Sequence, residues 1–168
     1  MVRYAVFLRA VNVAGTGKLP MADLRALCTA LGFSEVSTYI ASGNVLLTHD
    51  GPASAVAEKV ERGLADHFGK PVGVLVRTGP QLTDILSRNP FPDAPGNRVL
   101  VTLLPPGETA TAEARHQTDE VIVPSGSELF VHYGDGMGAS RLVLPASRIG
   151  TARNLNTIRA VADRLDAP

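Results

Sequence analysis

With 168 residues, the chain is long enough for one ordinary domain or for two small ones. Its hydrophobic fraction of 45% allows a buried core. This excludes the class of disordered proteins, which are poor in apolar residues. The 16 basic and 16 acidic side chains balance, so no overall field attracts the chain to nucleic acid or to an anionic membrane. Any affinity for anions must therefore be local.

The cysteine content and the lengths of the apolar runs bear on the compartment. Cys28 is the single cysteine, which rules out an intramolecular disulfide, and its place in an apolar helical pattern favours a buried hydrophobe. No apolar run reaches the roughly 20 residues that span a bilayer, and the amino-terminal run lacks the features of a signal peptide. We therefore expect a cytoplasmic protein without a membrane partner.

The first half of the chain alternates strands and helices in the order β-α-β-β-α-β. Apolar patterning predicts strands at 2–8, 36–41, 44–48 and 72–77, a helix at 20–31, and a second helix that follows Asp50-Gly51-Pro52 and runs to about residue 68. The two middle strands form a hairpin, because Gly43-Asn44 tolerates the positive φ of a tight turn. This order is the ferredoxin-like arrangement, a four-stranded antiparallel sheet with both helices on one face.

The second half roughly repeats this order after a break rich in proline. A short helix begins at Gly79-Pro80, and 91–96 cannot sustain regular structure. Strands are predicted at 98–104, 120–123, 128–133 and 141–144, with helices at 109–116 and at the carboxyl end. We therefore predict an α+β protein with a ferredoxin-like unit at 1–78, a helical linker at 79–96, and a second such unit at 97–168 ending in a helix. An internal duplication is a hypothesis at the level of topology, since no residue-level repeat is visible.

Three segments together resemble the bacterial family called domain of unknown function 1697: Phe7–Val13, Thr38–Asn44 and Thr151–Thr157. The stretches 21–24 and 89–91 are also similar to it, so the resemblance covers nearly the whole chain. It implies two ferredoxin-like α+β units and no established activity. The chain departs from the family at Ala14, where a second glycine is typical beside Gly15, and this disfavours tight phosphate cradling by that loop.

The first polar cluster follows the first strand. Gly15-Thr16-Gly17-Lys18 lies between a strand and a helix as a phosphate loop does, but a Walker loop requires Ser or Thr after its lysine, and Leu19 follows here. Lys18 is expected either to contact an anion or to be solvated. Arg9 offers a rigid fork of donors for phosphate or carboxylate, and Asn12 offers a donor and an acceptor. The alternative is that Arg9 pairs with an acidic group or hairpin carbonyls, while Asn12 caps the loop.

The second cluster is the tip of the hairpin. Ser42 does not form a nucleophile elbow, because a strand follows it where an elbow requires a helix. The four histidines, at positions 49, 67, 116 and 132, lie at unrelated places in the sequence. Thr38, Ser42 and Asn44 are candidate ligand-binding residues. The alternative is that Gly43-Asn44 serves only as a turn.

The third cluster, Thr151–Thr157, is predicted to begin the final helix with Thr151 as its N-cap. Arg153, Asn154 and Thr157 would then lie at the positive end of the helix dipole, which suits an anion. Five arginines and one aspartate between residues 141 and 164 make this end locally basic. The alternative is a solvated helix face with ordinary capping.

These clusters lead to one main functional hypothesis. We expect a small anionic, phosphate-bearing ligand between the two units, with Arg9 and Arg153 binding its charge and Asn12, Ser42, Asn44 and Asn154 orienting it. No metal or cofactor is expected, because zinc motifs, paired cysteines and repeated acidic ligands are missing from the sequence. The alternatives are a structural or protein-interaction module, and weak binding of single-stranded nucleic acid at the basic end. The sequence names neither a reaction nor an oligomeric state.

Overall fold

The computed structural model describes residues 1–9, 19–40, 43–134 and 136–167. The chain divides into two compact units, of which unit 1 comprises residues 1–81 and 161–168 and unit 2 comprises residues 82–160. Four α-helices lie in the described residues: α1 (Met21–Ala30), α2 (Ala53–Phe68), α3 (Gly79–Ser87) and α4 (Leu155–Asp166). None of these four is long and apolar enough to cross a membrane.

Sheet 1 lies in unit 1 and has four antiparallel strands. They are β1 (Val2–Leu8), β2 (Ser34–Thr38), β3 (Asn44–His49) and β4 (Val74–Thr78), in the order β2-β3-β1-β4. The central strand β1 pairs with β3 on one side and β4 on the other, so that Val6 lies between Val45 and Val76. This is the predicted ferredoxin-like order.

Helices α1 and α2 cover one face of sheet 1, as their apolar spacing predicts. Side chains of α1 and α2 pack against the strands through Leu24, Cys28, Val56, Val60 and Leu64 on the helices and Tyr4, Val6, Leu8, Val45 and Leu47 on the sheet. Burial raises the pKa of the Cys28 thiol to about 11. The prediction that Cys28 is a buried hydrophobe is therefore confirmed.

The opposite face of sheet 1 is also buried. Because side chains alternate along a strand, this face carries the odd-numbered residues of β1 and their partners: Ala5, Phe7, Asn44, Leu46, Thr48, Leu75 and Arg77.

The last residues of the chain belong to unit 1, and Arg3 binds them. Its Nη1 donates to the Leu165 carbonyl at 2.8 Å and also to the Ala167 carbonyl. A cation at the carboxyl end of α4 also complements the helix dipole.

Sheet 2 lies in unit 2 and repeats the strand order of sheet 1. Its strands are β5 (Val99–Leu103), β6 (Val121–Ser125), β7 (Glu128–His132) and β8 (Thr151–Asn154), in the order β6-β7-β5-β8. Val101 of the central strand lies between Phe130 and Arg153. The α+β prediction with two ferredoxin-like units is thus confirmed, and the shared order is consistent with an internal duplication.

The connections of sheet 2 differ from the sequence prediction. The helix predicted at 109–116 is wrong, because Ala110 donates its N–H to Gly126 and Arg115 forms an isolated bridge with Val143. The strand predicted at 141–144 is reduced to that single bridge. Backbone groups that a helix would satisfy internally are paired with distant segments instead. The connection still covers the sheet, since Ala110 packs in the core that contains Leu129 and Val131.

Candidate functional site

Arg9 lies at the end of the central strand of sheet 1, between two glycines. The Leu8 N–H donates to the Gly43 carbonyl at 2.9 Å, and the Arg9 N–H donates to the Gly73 carbonyl at 2.9 Å. Neither glycine places a side chain beside Arg9. We call the region formed by Arg9, Gly43 and Gly73 the strand-end notch.

Gly73 lies directly against the side chain of Arg9. A Cβ atom at Gly73 would lie 3.1 Å from Cδ and 3.6 Å from Nη1 of Arg9. The absence of that atom lets the arginine stem rest against the start of β4. The Arg9 side chain is held there while remaining only partly buried, which suits a group that meets a ligand arriving from solvent.

Asn44 lies at the same end of sheet 1 and closes the hairpin. Its Nδ2 donates to the Tyr39 carbonyl at 2.8 Å, and the Tyr39 N–H donates to the Asn44 carbonyl at 3.0 Å. The side chain is almost fully buried opposite Phe7 of β1. Arg9 and Asn44 are therefore brought to one sheet end, with Asn44 bonded across the turn.

Thr38 lies on the other face of the same sheet. It pairs with Val45, whose side chain belongs to the core under α1 and α2, whereas Asn44 points away from that core. The Thr38 hydroxyl accepts a hydrogen bond of 2.7 Å from Nη1 of Arg25 on α1. Two candidate residues of one hairpin thus face opposite sides of the sheet.

Asn154, and not Thr151, caps the final helix. Thr151 pairs with Leu103 as part of β8, and α4 begins only after Asn154. The Asn154 Oδ1 accepts the Thr157 N–H at 2.8 Å, the bond of an N-cap to the third helical residue. The prediction of Thr151 as the cap is wrong, because pairing with β5 keeps Thr151 extended and asparagine caps at least as well as threonine.

Arg153 is consequently a strand residue with a buried guanidinium. Its Nη1 donates to the Thr151 hydroxyl at 2.8 Å and to the Ala152 carbonyl at 2.8 Å, and the residue is 7% exposed. Burial lowers the pKa of this guanidinium to about 10, because removal from water disfavours the charged form.

Three candidate residues, Asn12, Lys18 and Ser42, lie outside the described residues. For Arg9, Thr38, Asn44, Arg153, Asn154 and Thr157, a role in ligand binding stays a prediction. Among the described residues, no group of three or more histidine, cysteine, aspartate or glutamate side chains is placed to hold a metal ion.

Sequence reasoning missed Arg77, a second arginine buried on a sheet. Arg77 lies in β4 opposite Ala5 and is 5% exposed. The signal in the sequence is a cation that ends the apolar run Val74-Leu75-Val76 and is followed by a helix-capping residue, Thr78. Arg153 is likewise followed by a capping residue, Asn154, although no apolar run precedes it.

Glu120 was also missed, and its carboxylate connects Thr118 to Ser140 within unit 2. Its carboxylate accepts the Ser140 hydroxyl at 2.6 Å and the Thr118 N–H at 2.7 Å. These hydrogen bonds, the one from Ser140 above all, lower the pKa of Glu120. Burial, together with the charge of Glu120, raises the pKa of Tyr133. The arrangement has the chemistry of a structural anchor, since a carboxyl with a lowered pKa is a poor base.

The chain is similar to a described protein family and to a solved bacterial structure. The model of a family described as "Protein of unknown function (DUF1697)" matches residues 1–130. No curated protein matches the chain. Among solved structures, the conserved bacterial protein SP0830 from Streptococcus pneumoniae is similar, with a TM-score of 0.79 and 24% identity over 99% of each chain. At that identity, the similarity concerns the fold alone.

Proposed function

We propose that this chain, which belongs to the DUF1697 family, binds a small phosphate-bearing anion at the strand-end notch through the guanidinium of Arg9. The single observation that supports it is the position of Arg9 against Gly73 at the end of a central strand. There a cation is partly exposed and the flanking positions carry no side chains.

The chemistry of the notch favours phosphate over other small ligands. A guanidinium presents a planar fork of donors that matches two oxygens of a phosphate, and such charge-assisted bonds are roughly twice as strong as neutral ones. The absence of a side chain at Gly73 lets the Arg9 stem lie against the backbone, which positions the guanidinium at the strand end. Since the overall charge is balanced, this affinity depends on Arg9 and its surroundings.

Calorimetric titration tests the proposal, with pyrophosphate, nucleotides and sugar phosphates as ligands and the matching unphosphorylated compounds as controls. Arg9→Ala removes charge-assisted bonds worth about 1.5 to 3 kcal/mol, so binding should weaken by roughly 10- to 150-fold. Arg9→Lys keeps the charge without the fork, and we expect an intermediate affinity. Arg62→Ala is the matched control, because Arg62 is an exposed arginine of α2. Equal losses in Arg9→Ala and Arg62→Ala would refute the proposal.

Gly73→Ala tests the position of Arg9 without changing its charge. The new methyl group would lie 3.1 Å from the Arg9 Cδ, so the arginine stem must move by a few tenths of an ångström. We expect weaker phosphate binding with little change in melting temperature, because the displaced group is a flexible side chain. Gly138→Ala is the control, since no atom lies within 4 Å of a Cβ at that position. Unchanged binding by Gly73→Ala would place the anion elsewhere.

A second candidate function, a structural or interaction module, is favoured by Asn44. Its side-chain amide is almost fully buried and donates a hydrogen bond to the Tyr39 carbonyl across the hairpin. Removing one partner of such a buried bond costs about 1 to 3 kcal/mol. This alternative predicts that Asn44→Ala and Arg153→Ala lower the melting temperature by several degrees, while no phosphate compound binds the wild-type chain.

A further inference from the structure

The carboxylate of Glu61 binds the outer edge of β4 beside the strand-end notch. Its Oε1 accepts the Val74 N–H at 3.1 Å. Strand β4 lies at the edge of sheet 1, and the preceding residue, Gly73, bonds to β1 through its carbonyl. Because backbone groups of successive residues point to opposite sides of a strand, the Val74 N–H points away from β1. A side chain of α2 therefore satisfies this backbone donor.

Glu61 and Arg9 approach consecutive residues of the chain. Arg9 lies against Gly73, where its Nη1 would be 3.6 Å from a Cβ atom, and Glu61 binds the N–H of the next residue. The short covalent path from Gly73 to Val74 limits the distance between Arg9 Nη1 and Glu61 Oε1 to about 11 Å at most. A cation and a carboxylate thus flank one peptide unit at the start of β4.

The second carboxylate oxygen of Glu61 is available to a ligand. Within the residues that the structure describes, Glu61 accepts the bond from Val74 and forms no ion pair. The residue is half-buried, and the adjacent α2 side chains Val60 and Leu64 lie fully in the core of unit 1. Packing of the helix and the bond to Val74 together fix the carboxylate. Oε2 is therefore a charged acceptor held near the notch.

This charge pattern favours a phosphate ester that carries hydroxyl groups. A bare anion at Arg9 would face the like charge of Glu61, whereas a ligand hydroxyl can donate a hydrogen bond to Oε2. With two hydrogen bonds of about 2.8 Å, a phosphate oxygen and a hydroxyl oxygen roughly 5 to 7 Å apart can reach both side chains. A small polyol phosphate or sugar phosphate has its groups at such a spacing.

We propose that Glu61 is a specificity-determining residue of the strand-end notch and that the ligand is a small hydroxylated phosphomonoester of the sugar phosphate class. Arg9 binds the phosphate, and Oε2 of Glu61 accepts a hydrogen bond from a hydroxyl group of the same ligand. The inference rests on the function proposed above, because the notch supplies the phosphate site. It adds a second recognition element and names the part of the ligand that this element contacts.

Calorimetric titration of the wild-type chain with two matched ligands tests the inference. Glycerol phosphate carries hydroxyl groups, and propyl phosphate has the same carbon chain without them. A hydrogen bond to a charged acceptor should make glycerol phosphate bind at least about tenfold more tightly. Equal affinities for the two ligands would overturn the role of Glu61.

Glu61→Gln separates recognition of the ligand from the structural role of this side chain. Glutamine keeps an oxygen for the Val74 N–H, so the melting temperature should change little. The charged acceptor is lost, and the preference for glycerol phosphate should fall to about twofold or less, while pyrophosphate binds as before or more tightly. Glu58→Gln is the matched control, since Glu58 is an exposed glutamate of the same helix. A preference that persists in Glu61→Gln, or that Glu58→Gln reduces equally, would refute the assignment.

An ammonium group can donate to the same oxygen, and aminopropyl phosphate distinguishes this source of the donor. If it binds more tightly than glycerol phosphate and loses that advantage in Glu61→Gln, the role of Glu61 is confirmed and the sugar phosphate class is overturned.

Arg9→Ala separates the failure of this inference from the failure of the proposed function. If Arg9→Ala weakens both phosphates and the wild-type chain binds them equally, the notch stands and the role of Glu61 falls. If neither ligand responds to Arg9→Ala, the notch is refuted, and this inference is refuted with it.

Discussion

The ion pair between Arg88 and Glu128 allows a quantitative prediction for unit 2. Arg88 follows α3, and its Nη2 lies 2.5 Å from the Glu128 Oε1. Its Nη1 donates to the Ser125 hydroxyl at 2.7 Å and to the Ser125 carbonyl at 2.9 Å. The Glu128 side chain is 7% exposed and the Arg88 side chain 30%. Although burial by itself opposes the charged form of Arg88, the bonds to Glu128 and Asp84 raise its pKa. Arg88→Ala should therefore remove the ion-pair partner of a buried carboxylate.

The expected loss follows from these exposures. Breaking a buried pair costs about 3 to 5 kcal/mol, and partial exposure of Arg88 reduces this to roughly 2 to 4 kcal/mol. In a chain of this size the melting temperature should fall by roughly 5 to 15 °C. Arg62→Ala is the control, because Arg62 pairs with Glu58 at 2.9 Å with both side chains about 70% exposed, and such exposed pairs contribute about 0.3 to 0.5 kcal/mol.

Urea denaturation measures the effect in Arg88→Ala, in Glu128→Gln, in the variant that combines both changes, and in the control Arg62→Ala. Combining Arg88→Ala with Glu128→Gln removes the buried charge, and about 1 kcal/mol or more of the loss should be recovered. Two results would contradict this expectation. Arg88→Ala could cost no more unfolding free energy than Arg62→Ala, or the double variant could lose more unfolding free energy than Arg88→Ala and Glu128→Gln lose together.

Three further predictions concern packing, the chain terminus and pH. Gly150→Ala should destabilise the chain by about 3 kcal/mol or prevent folding, since its Cβ would lie 2.4 Å from the Leu103 carbonyl oxygen; a normal melting curve would contradict this. Arg3→Ala should speed hydrogen exchange in the last turn of α4 with little change elsewhere, because two carbonyls lose their donor. Glu120, with its lowered pKa, contributes stability above the ordinary carboxyl pKa and loses it as pH falls through the lowered value. Glu120→Gln should therefore cost stability at pH 7 and progressively less as the pH falls below the ordinary carboxyl pKa, as thermal melts at decreasing pH would show; an equal cost at every pH would contradict it.

The sequence allowed most of unit 1 to be predicted because its signals are local. Apolar residues recur at helical spacing through α1 and α2, and Gly69 ends α2 in the left-handed conformation that its position requires. The two strands between these helices and the strand after them join β1 in the ferredoxin-like sheet. Apolar spacing and the residues that end a helix are sufficient to predict α1 and α2, because a helix satisfies its backbone hydrogen bonds internally.

The errors in unit 2 arise where distant segments satisfy the backbone. The segment 109–116 contains three alanines, which favour a helix by propensity, but its N–H groups at Ala110 and Arg115 pair with residues 126 and 143. Likewise, Thr151 fits an N-cap by composition, yet β5 extends the strand to Asn154 and moves the cap by three residues. Local propensity could not reveal either pairing, because tertiary contacts decide between conformations of similar intrinsic stability.

The candidate site was predictable only in part for the same reason. The sequence places Arg9 at a strand end, but the contact with Gly73 depends on the pairing of β1 with β4. It also places Thr38 and Asn44 in one hairpin, while the strand register sends them to opposite faces. A residue list from sequence thus identifies the chemistry available, and register determines which members can act together.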